Sequence, residues 1–569
     1  MITQRISKLR EKMMENNVQA YIIPTSDFHE TEYVCEYFAC RKYMSGFTGS
    51  AGVLVVLLDK AALWTDGRYF IQAANQLEGT GIDLMRMGQP GVPELDAYIV
   101  ENLKENDTVG FDGRVMNTKD ALAYKSVFDL AHLNMNVNLD LVNDVWTDRP
   151  ELPSTPTFHY SEKFAGESME SKLSRLRAFL KENKVDSIVL TSVDQIAWLY
   201  NLRAHDIPNF PVALAYSIVS LDSASIYMDA SRLDELSEKE FSKNNVTVCG
   251  YNDMYEATKA LNGSVLVDPS SVNYAIVSNL KAKPVFKESP IILWKALKNE
   301  TELKCTKWAH IKDGVAVTKF MYWLKKNAGK IEMSEMSVQS KLQVLRSEQE
   351  NYLEDSFDTI CAYKEHAAMM HYSSKPETNV EITNSGMLLI DSGGQYLTGT
   401  TDITRTFVLG EMTQEERKDF TIALKAMFRL QNAHFIQDVT TGANLDILAR
   451  GVIYDYDLDY RCGTGHGVGH FLNVHEGPNG LRPKSLYGHE ACIVPGMITT
   501  DEPGVYVEGS HGIRHENELL CVKHTENEYG TFLKFEPITY VPFDIEGLDL
   551  NYLSNHEIAS INEYQQYAF

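Results

Sequence analysis

Two stretches of the chain carry the same order of apolar and polar positions. Residues 6–27 read ISKLREKMMENNVQAYIIPTSD and residues 173–194 read LSRLRAFLKENKVDSIVLTSVD. Each opens with apolar positions at helical spacing, passes an Asn-bearing turn and ends in a short apolar strand. Leu9 matches Leu176, Arg10 matches Arg177, Asn16 matches Asn183, Val18 matches Val185 and Asp27 matches Asp194. The echo predicts two related α/β domains in tandem. A polar, proline-bearing stretch, TDRPELPSTPTFHYSEK, separates the copies and reads as a linker. The second copy ends near KPVFKESPIILWKALKN. A long helical pattern from Glu300 to about Asn327 then opens a third region. Beyond residue 350, Gly pairs, Thr runs and β-branched alternation predict antiparallel strands joined by tight turns.

The 569 residues exceed what one core organises, and ordinary domain sizes give roughly three to five domains. A hydrophobic share of 44% and a charged share of 23% describe a soluble globular chain. A net charge of −25 argues against nucleic-acid binding, which needs a basic footprint. No apolar run is long enough to span a bilayer, so no membrane partner is expected. The opening MITQRISKLREKMMENNVQ is charged and amphipathic and lacks the apolar core of a signal peptide. Cys35, Cys40, Cys249, Cys305, Cys361, Cys462, Cys492 and Cys521 are scattered with no CxxC pair. They read as reduced thiols, mostly small buried side chains, and the expected location is cytoplasmic.

Four segments of the third region offer acidic or imidazole groups. In MLLIDSGGQYLTGTTDITRTFVLG an apolar strand ends at Asp391, a Gly393-Gly394 turn follows, and Asp402 starts the outgoing strand. Strands joined in this way lie side by side, so the two carboxylates converge. Like charges held close repel, and a cation relieves them. The second segment is CGTGHGVGHFLNVHEGP, from Cys462 to Pro478, with His466, His470 and His475. The third, GMITTDEPGVYVEG, carries Glu502 at the end of a short strand. The fourth, HGIRHENELLCV, alternates as a strand with Arg514, Glu516 and Glu518 on one face and Ile513, His515, Asn517 and Leu519 on the other. Taken singly, each carboxylate is an ordinary solvated charge. Together, two Asp, one His and two Glu suit two divalent ions about 3.5–4 Å apart. Oxygen-rich donors with one imidazole favour hard or borderline metals, manganese among them. The chain has no HExxH helix, GxSxG elbow, P-loop or GxGxxG. The glycines of GTGHGVGH instead let backbone pass close to a metal centre.

At these residues the chain closely resembles aminopeptidase P, the cytosolic Xaa-Pro aminopeptidase group of the pita-bread metallopeptidases. The resemblance covers nearly the whole length. It rests on AYIIPTSDFHETEY, SGFTGSAG and LWTDGRYFIQAA, on TSVDQIAWLYNLRAHDIPNFPV, and on SFDTI, HYSSKPETN, DSGGQYLTGTTDITRTF, GTGHGVG, NVHEGP, TDEPGVY and GIRHEN. It implies an α/β architecture: two tandem creatinase-like N-terminal α/β domains, at 1–152 and 153–298, then a pita-bread α+β catalytic domain at 299–569. It implies two divalent ions, most often Mn2+, on Asp391, Asp402, His466, Glu502 and Glu516. The nucleophile is then a water activated between the metals, with Glu502 as ligand and proton acceptor. His371 and His475 match histidines that touch the substrate and the developing oxyanion. Arg68 matches an arginine that reaches toward bound peptide, and Arg514 resembles one near the metals. His470 matches no catalytic role and reads as structural. The implied substrates are peptides with proline in second place, and the family is commonly homodimeric.

Cys462 departs from the pattern, since family members often carry a catalytic histidine there. A thiol is shorter, a weaker donor and uncharged at neutral pH. The position is tolerant, or attenuated, or altered from an active parent. Other readings compete. Prolidase, the Xaa-Pro dipeptidase, shares the metal set but usually has one N-terminal domain, and the echo favours the aminopeptidase. Methionine aminopeptidase is normally a lone catalytic domain. A metal-depleted or attenuated pita-bread binding protein would tend to lose ligands, and all five are present; Cys462 is the main reason it stays open.

Overall fold

The computed structural model describes residues 1–484 and 491–568. The chain divides into two compact units, the first built from most of residues 1–291. The second spans 292–569 and takes in the short segments 163–166 and 209–211.

The first unit contains two six-stranded sheets with one strand order. The first sheet runs Asp83–Arg86, Ala61–Thr65, Val53–Leu57, Ala20–Pro24, Thr108–Gly110, Asn134–Asn136. The second runs Val246–Cys249, Ala224–Tyr227, Tyr216–Ser220, Ser187–Leu190, Ser264–Val267, Lys283–Phe286. In both, the strand after the echoed helix is antiparallel to one neighbour and parallel to the other. The matched residues do matched work. Leu9 and Leu176 are fully buried. Asn16 and Asn183 end helices Ile2–Glu15 and Met169–Glu182, each Nδ2 donating to a carbonyl four residues back, at 2.9 and 2.8 Å. Arg10 Nε donates to Leu57 O and Arg177 Nε to Ser220 O, at 2.8 and 3.3 Å, tying each helix to its sheet.

In the second unit the long helix occupies Glu300–Asn327. Asn299 and Glu302 close a capping box at its start. One three-stranded antiparallel sheet holds Met387–Ser392 between Ile360–Tyr363 and Ile403–Val408. A six-stranded sheet runs His434–Ile436, Gly530–Pro537, Asn517–Asn527, Ile498–Asp501, Gly465–Gly467, Glu476–Leu481. Helices Gln414–Gln431 and Gly442–Tyr454 share an apolar core with it, where Phe420, Leu430, Leu445 and Ile453 meet Ile513, Leu519 and Leu533. Among the described residues no helix is long and apolar enough to cross a membrane.

Three local expectations change. The strand-rich reading beyond residue 350 omits those two helices; the Thr413–Glu416 capping box is the signal that marks the first. Asp391 and Asp402 are not joined by a tight Gly-Gly turn. Residues 393–402 make an excursion with its own pairing, Gly394–Tyr396 against Gly399–Thr400 and Tyr352–Asp355. The stretch 511–522 is not one strand: His511–Arg514 pairs with Gly504–Val507, and Asn517–Asn527 with Ile498–Asp501. The alternation of faces survives the break.

Candidate metal centre

Each acidic side chain of the set is placed by a strand or its end, and a threonine hydroxyl holds each of the two glutamates. Asp391 lies opposite Thr404 in the antiparallel register. Asp402 precedes that second strand, and its backbone N–H donates to Glu518 Oε1 at 2.8 Å. Thr404 holds Glu516 at both ends: its Oγ1 donates to Glu516 Oε2 at 2.8 Å, and its carbonyl accepts from the Glu516 N–H at 3.2 Å. Glu502 follows Ile498–Asp501; its N–H donates to Thr464 O at 2.8 Å and its Oε1 accepts from Thr500 Oγ1 at 3.2 Å. His466 stands at the middle of Gly465–Gly467. A Cβ at Gly465 would sit 1.8 Å from Thr500 O, so only glycine lets these strands approach. His466 Nδ1 lies 2.9 Å from Gly467 O, which puts the ring proton on Nδ1. Nε2 faces Asp402 Oδ2 and Glu502 Oε1, each at 3.4 Å.

Asp402, His466 and Glu516 each bring a ligand atom within 4.8 Å of the others. Asp391 Oδ1 and Glu516 Oε1 are buried with no hydrogen-bond partner. Burial, followed by the charges of Asp391, Glu502 and Glu518, pushes the Asp402 carboxyl well above the usual carboxylate range. Burial, then Asp402, Glu502 and Asp391, does the same to Glu516 against the pull of its Thr404 bond. Arg514 answers part of this charge. Its NH2 lies 2.5 Å from Asp391 Oδ2, its Nε 3.9 Å from Glu502 Oε2, and its NH1 donates to Tyr506 Oη at 2.6 Å. One guanidinium is set against four carboxyl groups, too few to relieve their mutual repulsion. Buried carboxylate oxygens without donors, around one imidazole acceptor, fit a pair of divalent cations.

The remaining predicted residues stand as follows. The His475 ring is edge-on to His466, centroids 4.3 Å apart. His371 is half-buried and follows Met370, whose carbonyl accepts from Arg514 NH2 at 3.3 Å. His470 is buried, between Thr306 Oγ1 at 2.9 Å and Phe164 O at 3.1 Å, which fixes the loop after the metal strand to the long helix. Cys462 is half-buried in the loop before His466, and its carbonyl accepts from Arg450 NH2 at 2.9 Å. Arg450 also grips Asp446 and Tyr460 O, so this loop is tied down. Arg68 belongs to the first unit, where Asp66 binds it through two bonds of 2.8 Å. Sequence reasoning gave no role to Thr404, Thr500 or Glu518. Glu518 shares the face of Glu516, and its Oε2 meets His310 Nε2 at 3.1 Å; alternation alone could have marked it.

Known proteins resemble the chain along its length. Residues 5–138 and 148–302 each match a Creatinase/Prolidase N-terminal domain, residues 304–523 match Metallopeptidase family M24, and residues 531–567 match the C-terminal region of that peptidase family. A probable Xaa-Pro aminopeptidase P of Botryotinia fuckeliana is 39% identical over 99% of this chain and 88% of its own length. Aminopeptidase P2 of Arabidopsis thaliana is 37% identical over 99% and 85%. The crystal structure of X-prolyl aminopeptidase from Caenorhabditis elegans, described as a cytosolic enzyme with a di-nuclear active site, superposes with a TM-score of 0.94 at 32% identity, covering 100% of this chain and 95% of its own. The prolidase of Pyrococcus horikoshii is 25% identical with a TM-score of 0.51 and covers 66% of this chain and 99% of its own.

Proposed function

This chain belongs to metallopeptidase family M24, in its aminopeptidase P group, and we propose that it removes the first residue from peptides with proline in second place. One observation carries the reading: the buried carboxylates of Asp391, Asp402 and Glu516 and the half-buried one of Glu502 crowd about the Nε2 of His466, and Asp391 Oδ1 and Glu516 Oε1 have no hydrogen-bond partner. The alternative of prolidase accounts for less, because the P. horikoshii enzyme covers only 66% of the chain while the C. elegans enzyme covers all of it. The metal-free reading is disfavoured by the intact set of five ligands.

In this account Asp391, Asp402, His466, Glu502 and Glu516 hold two divalent ions, manganese first among the candidates. When bound, such a pair lowers the pKa of water and offsets negative charge during attack on a carbonyl. The chain's own groups do the rest. Glu502, with Oε1 fixed by Thr500, accepts the proton released as the nucleophile forms. His475 and His371 donate hydrogen bonds to the scissile carbonyl oxygen as charge builds on it. Arg514 screens Asp391 and Glu502 and orients both carboxylates. The free substrate amine would be held beside Asp391, Asp402, Glu502 and Glu516, which would make the enzyme an exopeptidase. A proline in second place gives a tertiary amide with no N–H, which sets such substrates apart from ordinary peptides. We assign Arg68 a part in binding peptide and divide the chain into three domains, at 1–152, 153–298 and 299–569. We assign the working form as a cytoplasmic homodimer, on the family resemblance and the cytosolic description of the C. elegans relative.

Cleavage of Xaa-Pro-Xaa peptides and longer ones after the first residue, with N-acetylated versions spared, is the expected result of a manganese-supplemented assay. Cleavage confined to Xaa-Pro dipeptides would move the assignment to prolidase.

A further inference from the structure

Beside the metal centre lies a buried ion triad that the catalytic set does not use. The side chain of Glu476 is 1% exposed. Lys295 Nζ lies 2.8 Å from its Oε2, an ion pair off the line of a hydrogen bond, and Lys298 Nζ bonds to its Oε1. The two lysine side chains are 3% and 1% exposed. Lys295 comes from helix Pro290–Ala296, and Lys298 immediately precedes the cap of the long helix. Lys298 is also pinned through its backbone, whose N–H donates to Gly496 O at 3.1 Å.

Three buried charges are poor evidence for stability. Desolvation costs as much as the attraction returns, and apolar side chains of similar volume often replace such groups without loss. Fixed geometry is the better account, and the neighbours show what is fixed. Glu476 directly follows His475 and pairs in register with Gly467, which directly follows the ligand His466. A Cβ at Gly467 would lie 2.2 Å from Glu476 O, so the Glu476 backbone has no slack against the metal-bearing strand. The two imidazoles stand 4.3 Å apart one residue away on each strand.

We propose that Lys295, Glu476 and Lys298 are positioning residues that hold His475 in its place against the metal centre. The inference rests on the role given above to His475. The triad sets the backbone at Glu476, the backbone sets the His475 ring, and the ring meets the developing oxyanion. The triad itself touches no substrate.

The test is a double-mutant cycle on Xaa-Pro-Xaa hydrolysis, with metal-saturated full-length protein. The triple variant Lys295→Met, Glu476→Met, Lys298→Met removes all three charges at similar volume. It is expected to melt within about 5 °C of the parent. Its kcat should fall about tenfold to a hundredfold, with KM within a small factor. In a His475→Ala background the same three changes should alter kcat by less than about twofold, because the group they position is gone. Full kcat in the triple variant overturns the proposal, as does a loss that persists undiminished beside His475→Ala. Should the triple variant not fold, Glu476→Gln, which keeps the shape and loses the charge, carries the same cycle with the same two readings. Glu476→Asp, which keeps the charge, should recover part of the turnover lost in Glu476→Gln. An unchanged kcat in His475→Ala alone would instead show that His475 lacks its assigned role, and this inference falls with it.

Discussion

In the N-terminal unit, Asp206 is met by Arg232 at 2.5 Å, by the Thr155 hydroxyl at 2.7 Å and by the Leu214 N–H at 2.8 Å. Asp27 accepts from the N–H groups of His29 and Thr31 and from the Thr31 hydroxyl. In the catalytic unit, Asp391, Asp402, Glu502 and Glu516 face one another, with Arg514 as their paired cation among the described residues. Buried charges with matched partners are satisfied within the fold. Buried charges crowded against their own kind hold a place for something else.

The contrast breaks most visibly at Asp402. Asp402→Ala removes one of the proposed metal ligands, and metal charge stabilisation is worth several kcal/mol. A fall in kcat/KM of about a thousandfold or more is expected in steady-state peptide hydrolysis, with the folded protein intact by circular dichroism. The mirror experiment is Asp206→Ala in the first unit. It strands the Arg232 guanidinium, 6% exposed, and should lower stability by about 3–5 kcal/mol in urea unfolding. Turnover by the folded fraction should be unchanged.

A smaller effect is expected at Cys462. Asp391, Asp402, His466, Glu502 and Glu516, the proposed ligands, do not include Cys462, so introducing histidine there should leave metal content alone. Cys462→His should raise kcat by at least about tenfold while KM stays within a small factor. Equal turnover of the two manganese-saturated proteins would show that this position is tolerant.

The smallest effect belongs to Glu30, in the N-terminal unit, an exception to its matched charges. Its Oε1 is cut off without a partner, and burial first, then Asp27, raises its pKa from 4.5 to about 8. Between those values the folded state holds a proton that the unfolded state has released. This contribution to stability is therefore full below about pH 4 and is lost as pH rises toward 8. Glu30→Gln should flatten that loss. The variant should gain on the parent in melting temperature at pH 9 and not at pH 5.

The repeat was the most legible part of the chain, because helix spacing, the Asn turn and the apolar strand are local signals. Asn16 and Asn183 could be paired by eye, and each does end a helix. The alternation through Arg514, Glu516 and Glu518 also survived, although the strand breaks between Arg514 and Asn517. The proposed metal set was chosen by residue type and by resemblance, and the structure brings Asp402, His466 and Glu516 of it within ligand distance of one another. What holds it in shape was not legible. Thr404 on Glu516 and Arg514 on Asp391 join residues over a hundred positions apart, and no local pattern encodes such a contact. The excursion at residues 393–402 was hidden for a related reason: its strand Gly394–Tyr396 pairs with Tyr352–Asp355, far back in the chain.

The central claim is that the unpartnered carboxylates are a site for two divalent ions. Elemental analysis of the purified full-length protein, loaded with manganese and freed of excess by gel filtration, tests it directly. The account predicts about two ions per chain, with a marked loss in Asp402→Ala. A stoichiometry near zero, the same in both proteins, would contradict it.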